Sequence, residues 1–325
     1  MIRPSRRVAS ALLLAAATGP AFAQSGWPSR PIKLIVPVSA GTATDIMARL
    51  LANEVGKALG QAMFIENIAG PQGVNGHAAA ARAEPDGYTF MFTNTSGLAG
   101  NPVSFKQLPY DPAKDFIPVA MVCDLGPQMI SVNADTPFKT LGDVIAAAKA
   151  KPGSLSYAVD ATVGSAVIAG RMLMKRAGLD IAEVSYRSPA SMGPDVAAGR
   201  VPLMMSSIAV ARPFMDAGQL RPLAVTSSSR FPGLPQTPTI AEYVPGVEID
   251  GWFVVVAPKG VPDAIVRRVN REIGEFLKGA DIQKRLLDIG LATSGAGTPE
   301  STGAFIAAQQ ARWRVMAKEL DIEAQ

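Results

Sequence analysis

Short β-type runs alternate with helical periodicity along most of this chain. PIKLIVPV (31–38) is almost continuously apolar, as expected of a strand buried on both faces of a parallel sheet. Directly after it, Ile46, Met47, Leu50, Leu51, Val55, Ala58 and Leu59 recur at three- and four-residue spacing, which predicts an amphipathic helix stopped by Gly60. AMFIEN (62–67) reads as a strand, a Gly-rich turn leads into an alanine-rich helix from His77 to Glu84, and Pro85-Asp86-Gly87 turns into the strand YTFMFTN (88–94). IPVAMV (117–122) and PQMISVN (127–133) are two further strand candidates. Thr140, with Asp143 three residues on, caps a helix through Lys151, and Pro152-Gly153 hands over to the strand SLSYAV (154–159). The alternation continues through 166–178, 183–187, 190–199, 201–208 and 220–226. Ser227 to Pro245 is rich in Ser, Pro and Gly and reads as a connection between domains rather than core. Beyond it, GWFVVVAP (251–258) is a buried strand, Pro262 opens a helix, and Thr298-Pro299 starts a last one carrying Phe305, Trp313, Met316 and Leu320. Strand, helix, strand in this order predicts an α/β fold with mostly parallel sheets, and 325 residues suggest about two domains.

Composition narrows the class. With 48% apolar and 18% charged residues, a disordered or coiled-coil chain is excluded. Arg3, Arg6 and Arg7 precede an apolar stretch from Val8 to Ala17, followed by Ala21-Phe22-Ala23, which reads as a secretory signal peptide cleaved after Ala23. Its apolar run is too short to span a bilayer. Export leaves 302 residues and takes three arginines with it, so the formal charge falls from +4 to +1. A near-neutral surface gives no electrostatic reason to expect nucleic acid or membrane as a partner. Arg267, Arg268 and Arg271, beside Glu272 and Glu275, read as a solvated helix face.

Candidate chemistry is sparse. One cysteine, Cys123, and one histidine, His77, cannot make a Cys/His metal cluster or an internal disulfide, and no metal or cofactor is expected. Cys123 lies inside an apolar run and reads as a buried small hydrophobe. His77, at a predicted helix start, is expected at the surface or in a capping role. No phosphate loop, nucleophile elbow or dinucleotide fingerprint occurs, so an enzyme is not expected. In open α/β sheets ligands collect beyond the carboxyl ends of strands. Two loops qualify, Ser39-Ala40-Gly41-Thr42-Ala43-Thr44-Asp45 and Asp160-Ala161-Thr162-Val163-Gly164-Ser165. Each follows a strand and opens a helix with hydroxyls and a glycine. Facing each other, two such helix N-termini could hold a small carboxylate without any lysine or arginine; ordinary helix capping is the alternative use of the same residues.

Several motifs occur in a familiar order: WPSRPIKLIVPV (27–38), TDIMARLLA (44–52), ENIAGPQGVNG (66–76), PDGYTFMF (85–92), LPYDPAKDFIPVA (108–120), LAVTSSSRFPGLPQTPTIAE (223–242) and WFVVVAPKGVP (252–262). Together they resemble the Bug family, the periplasmic receptors of tripartite tricarboxylate transporters. The resemblance implies a two-lobed periplasmic-binding-protein fold (type II), each lobe a mostly parallel sheet flanked by helices. Lobe 1 would comprise residues 24–123 and 248–325, and lobe 2 residues 124–247. It also implies a small organic acid held in the cleft, a membrane permease or a membrane sensor as the partner, and a monomer. Carried onto this chain, the ligand contacts would be Val38, Ser39, Ala40, Gly41 and Thr42 with Asp45, then Asn94 and Thr95, then Thr162, Val163, Gly164 and Ser165, and finally Ser206. Relatives usually carry an aromatic residue, prolines and paired glycines in the first loop, a histidine where Val167 stands, and an acid with an amide where Ser206-Ser207 stand. Without an acid at 206, an amine-bearing ligand loses a natural partner, which favours a plain organic acid.

Overall fold

The computed structural model describes residues 26–159, 164–186 and 189–324; the expected signal peptide and its cleavage site lie outside them. The first elements form much as their periodicity predicts. Strand β1 (Ile32–Val36) is followed by α1 (Ala43–Leu59), β2 (Met63–Asn67), α2 (Val74–Ala81), β3 (Thr89–Asn94) and the short α3 (Asn101–Ser104). Thr42 caps α1 by accepting from the Asp45 amide, and Gly60 ends it at φ +74°, a conformation that only glycine adopts without strain. A π-helical turn, Ser96–Gly100, links β3 to α3.

The largest departure from the sequence reading comes next. The two strands expected at 117–122 and 127–133 are one strand, β4 (Phe116–Asn133). Its register against the return strand shifts between Pro118 and Ala120, between Met121 and Cys123, and between Cys123 and Gly126. Those irregularities bend the strand without ending its pairing, so Asp124, Gly126 and Pro127 interrupt the apolar pattern without dividing the strand. After β4 come α4 (Leu141–Ala150), β5 (Leu155–Val159), α5 (Ser165–Ala177), β6 (Ile181–Ser185), α6 (Pro189–Ala197), β7 (Leu203–Ser207), α7 (Ile208–Asp216) and β8 (Leu220–Val225). Helix α7 was not anticipated. The chain returns through β9 (Asp250–Pro258) and ends in α8 (Asp263–Leu277), α9 (Ala280–Asp288) and α10 (Pro299–Glu319).

The sheet is curled and mixed, with strand order β2-β1-β3-β9-β4-β7-β5-β6 and β8 on the far side of β4. Parallel pairings hold β1 to β2 and β3, and β5 to β6 and β7. Antiparallel pairings with β9, β7 and β8 join those two parallel parts through β4. Two strands therefore cross between the lobes side by side, β4 going out and β9 coming back.

One apolar cluster gathers around Leu34, Leu51, Phe90 and Val269, and a second around Met129, Met192, Met204 and Phe231. The third includes Met91, Tyr157, Val167, Trp252 and Trp313 and so spans both lobes. Ser227 to Pro245 is not a bare connection. Ser227, Phe231 and Ile240 are all fully buried, and Thr239 forms a reciprocal capping box with Glu242. A polar composition hid a packed segment because Phe231, Ile240 and Val244 point inward, while Tyr243 stays exposed. Across the lobes, Arg176 of α5 makes a two-pronged ion pair with Glu319 of α10, both contacts at 2.9 Å. No helix among the described residues is long and apolar enough to cross a membrane.

Candidate ligand-binding site

A cavity of about 240 Å³ opens where the crossing strands meet the starts of several helices. Lobe 1 contributes Thr44 in the first turn of α1 and Asn94, Thr95 and Ser96 at the end of β3. Lobe 2 contributes Ser165, the first residue of α5, together with Ser207 and Ala209 at the start of α7. The floor is Gly126, Pro127 and Gln128 of β4 and Gly251, Trp252 and Phe253 of β9, and Ile289, Gly290 and Leu291 close one side from the turn after α9. Among the described residues, no charged side chain lines it.

Helices α5 and α7 begin in a way that suits an anion. α4 and α10 are closed by capping boxes, Thr140 with Asp143 and Thr298 with Ser301, and α1 by Thr42. α5 starts after Gly164 with no side-chain cap, and α7 starts after Ser207, whose hydroxyl does not cap it. Their first-turn N–H groups have no partner within the helix and carry the positive end of its dipole. Ser165 and Ser207 also have hydroxyls free of hydrogen bonds to the described residues, both facing the same cavity. Gln128, paired with Ser207 across β4 and β7, keeps its carboxamide free as well. Neutral donors from two helix starts thus converge on one space, which can hold a carboxylate without a salt bridge.

The sequence-predicted residues fall into groups. Asn94, Thr95 and Ser165 line the cavity. Ser39, Ala40, Gly41 and Thr42 form an exposed loop that leads into Thr44, and Val38 packs partly on the lobe-1 core. Gly164 immediately precedes Ser165, with φ at +154°. Ser206 is fully buried and donates to the Ser207 carbonyl at 3.1 Å, so the neighbouring Ser207 is the residue that reaches the cavity. Thr162 and Val163 lie outside the described residues.

Asp45 is 2% exposed and fully engaged. Its carboxylate accepts from the Gly41 amide at 2.8 Å, from Arg49 at 2.9 Å and from Asn67 at 2.8 Å. Burial alone would push this acid up, but those hydrogen bonds outweigh it and hold the carboxyl below its ordinary value. Asp45 therefore shapes the first loop. Thr95 likewise spends its hydroxyl on the backbone of Trp252, accepting from its N–H at 2.8 Å and so tying β3 to β9.

Thr44 lay within the first candidate loop, but sequence reasoning missed Ser96, Gly126 to Gln128, Ser207, Ala209 and the 289–291 turn as cavity lining. Only the Gly126-Pro127 interruption of an apolar run was visible as a signal; the turn after α9 is brought in by tertiary packing alone.

His77 is corrected by the structure. It is neither at the surface nor a cap but 1% exposed, with Nδ1 2.8 Å from the Gly73 carbonyl and Nε2 2.7 Å from the Thr93 hydroxyl. Its ring stacks on Tyr110 with centroids 5.0 Å apart. A carbonyl can only accept, so Nδ1 carries the proton and Nε2 accepts from Thr93. Burial pushes the imidazole down to about 4, leaving it neutral and structural. Cys123 is fully buried, and burial pushes its thiol up to about 12, in line with an inert core residue. Arg267 and Arg271 form exposed ion pairs with Asp263, Glu300 and Glu272.

Residues 47–322 match the tripartite tricarboxylate transporter family receptor, TctC. The chain belongs to the TctC receptor family. It is 34% identical to the protein BugT of Bordetella pertussis (strain Tohama I) over 295 residues, 90% of each chain. Among solved structures, it is similar to Rpa4515 of R. palustris with adipate, at a TM-score of 0.83 and 35% identity, covering 92% of this chain and all of that one. MatC (Rpa3494) from Rhodopseudomonas palustris with bound malate is also similar, at a TM-score of 0.76 and 27% identity, covering 89% of this chain and 99% of that one. As in these TctC receptors, the fold is that of a periplasmic binding protein, and the family consists of solute-binding receptors.

Proposed function

We propose that this TctC receptor is exported, loses its first 23 residues, captures a small organic carboxylate between its lobes in the periplasm, and delivers it to the membrane permease of a tripartite tricarboxylate-type transporter. Residues 24–123 with 248–325 form one lobe and 124–247 the other, hinged on β4 and β9. The observation that carries this reading is the pair of uncapped helix starts, α5 and α7, opening with free serine hydroxyls onto a cavity without charged side chains. A carboxylate placed there satisfies first-turn N–H groups that no side-chain cap among the described residues serves. Thr44 and Asn94 contribute from the facing lobe, and the exposed loop at 39–42, braced by Asp45, closes over the ligand as the lobes approach. The cavity has the volume of roughly eight water molecules, which suits an acid of comparable heavy-atom count. Adipate in one relative and malate in another support a carboxylate as the ligand class.

The test is a thermal-shift screen of the mature protein, unfolded and refolded to strip retained ligand, against adipate, malate, citrate, aromatic acids and acidic amino acids. An acid at 100 times its dissociation constant adds about 2.7 kcal/mol, a clear rise in melting temperature. A selective rise with one acid class supports the reading. A flat response across the carboxylates overturns it.

A further inference from the structure

Asp250 is the first residue of β9 and pairs with Pro127 of β4 where the two strands cross between the lobes. Pro127 lines the ligand cavity, as do Gly126 and Gly251, the next pair along the ladder. Its Oδ1 is shut off from solvent and has no hydrogen-bond partner among the described residues. The contrast with Asp45 is direct: that acid is 2% exposed and accepts from three donors.

The charged groups facing Asp250 come from three directions. Asp124 stands on β4, Glu248 precedes β9, and Arg312 projects from α10. Arg312 is committed elsewhere, donating to the Glu248 carbonyl at 2.5 Å and lying 4.0 Å from its carboxylate. Asp124 accepts from the Ser294 amide at 2.9 Å. Three carboxylates therefore share one guanidinium, and Asp250 is the one left without a donor. Burial pushes its carboxyl up to about 7.

An anion entering the cavity adds a fourth negative charge to this neighbourhood. Asp250 does not itself line the cavity, but its chain neighbour Gly251 and its strand partner Pro127 do, and with paired residues about 5 Å apart its carboxyl lies on the order of 10 Å from a ligand there. At an effective dielectric of about 20, a like charge at that distance weakens binding roughly tenfold unless it is neutralised. Taking up a proton removes the repulsion.

We propose that Asp250 is a specificity residue that couples ligand capture to protonation: a carboxylate binds in the cavity together with one proton on Asp250, and an ionised Asp250 selects against anions. The proposal rests on the reading of the cavity as a carboxylate site. Affinity is then highest where Asp250 is already protonated and falls as the pH rises through neutrality.

The test is isothermal titration calorimetry of the mature protein with adipate and with malate from pH 5.5 to 9, in buffers of different ionisation enthalpy, on wild type and Asp250→Asn. Each acid's own titration is common to both proteins and cancels in the comparison. Relative to the variant, wild type is expected to lose about tenfold in affinity between pH 6 and 9 and to take up a fraction of a proton on binding near pH 7.5. The variant, flat in this comparison, keeps the wild-type low-pH affinity. Superimposable pH profiles overturn the coupling and leave the receptor reading standing; loss of binding by the variant at every pH also overturns it. If neither acid binds wild type at any pH, the carboxylate reading itself falls and the coupling with it. Should the variant fail to fold, a carbon-13 carboxyl titration of wild type decides: the Asp250 midpoint must rise when saturating acid is added, and an unmoved midpoint refutes the coupling.

Discussion

Placing a fixed negative charge at the start of α5 separates anion binding from helix capping, because the two functions predict opposite changes. Ser165 is the first helical residue after Gly164, partly exposed in the cavity, and its hydroxyl bonds to no described residue. In Ser165→Asp the new carboxylate meets the positive end of the helix dipole and the unpartnered N–H groups. That stabilises the protein by about 0.3–1 kcal/mol, which in a chain of this size raises the melting temperature by about 1–3 °C. For a ligand carboxylate held at the same N-terminus the change is repulsive. Two like charges about 4 Å apart cost about 4 kcal/mol at an effective dielectric of 20, and even after relaxation at least a hundredfold in affinity is expected to go. Ser165→Ala removes only one hydroxyl donor to an anion, about 1.5–3 kcal/mol or ten- to a hundredfold, and leaves stability unchanged. Calorimetric melting of the stripped proteins and titration with whichever acid binds wild type measure both quantities. Undiminished affinity in Ser165→Asp shows that no anion sits at this helix start. A drop in stability shows that its N–H groups are already satisfied.

Two further outcomes follow from His77. The imidazole is held neutral, with its midpoint lowered from 6.5 to about 4. Above pH 6.5 both folded and unfolded chains keep it neutral and it costs nothing; as the pH falls from 6.5 to 4 only the unfolded chain gains the proton, so stability is lost progressively, on the order of 3 kcal/mol in all. Asp250 acts with the opposite sign in the same range, so the contribution is read as the difference between wild type and His77→Gln in urea unfolding at pH 7 and pH 4.5. A pH-independent difference refutes it. In Gly97→Ala the added Cβ falls 1.9 Å from His77 Nε2. The ring must move and give up its bond to Thr93, which is expected to cost about 2–4 kcal/mol in denaturant unfolding; a loss under 1 kcal/mol would mean the ring has room that the structure does not show.

The sequence by itself determined the local elements and the family. Apolar runs bounded by glycine and proline fixed β1, β3 and β9, the Thr140–Asp143 spacing fixed the start of α4, and Thr298-Pro299 fixed the start of α10. These depend on neighbours within a few residues, so the chain carries them in readable form. It also pointed to Asn94, Thr95 and Ser165, which stand at strand and helix ends and line the cavity, where an α/β sheet gathers its ligand-facing loops. What it could not carry depends on partners far along the chain. β4 stays paired through Asp124, Gly126 and Pro127 only because β9 runs beside it, more than a hundred residues later. His77 is buried because Thr93, Tyr110 and the 96–100 turn enclose it, and no local pattern distinguishes that from a surface cap. Asp45 and Asp250 are single acids of identical chemistry; three donors, from the loop before α1, from α1 itself and from β2, claim the first, while the strand crossing leaves the second beside two other carboxylates with none. The tertiary structure decides between a bracing acid and a proton-sensitive one because burial and hydrogen-bond supply are properties of the assembled fold, not of the residue.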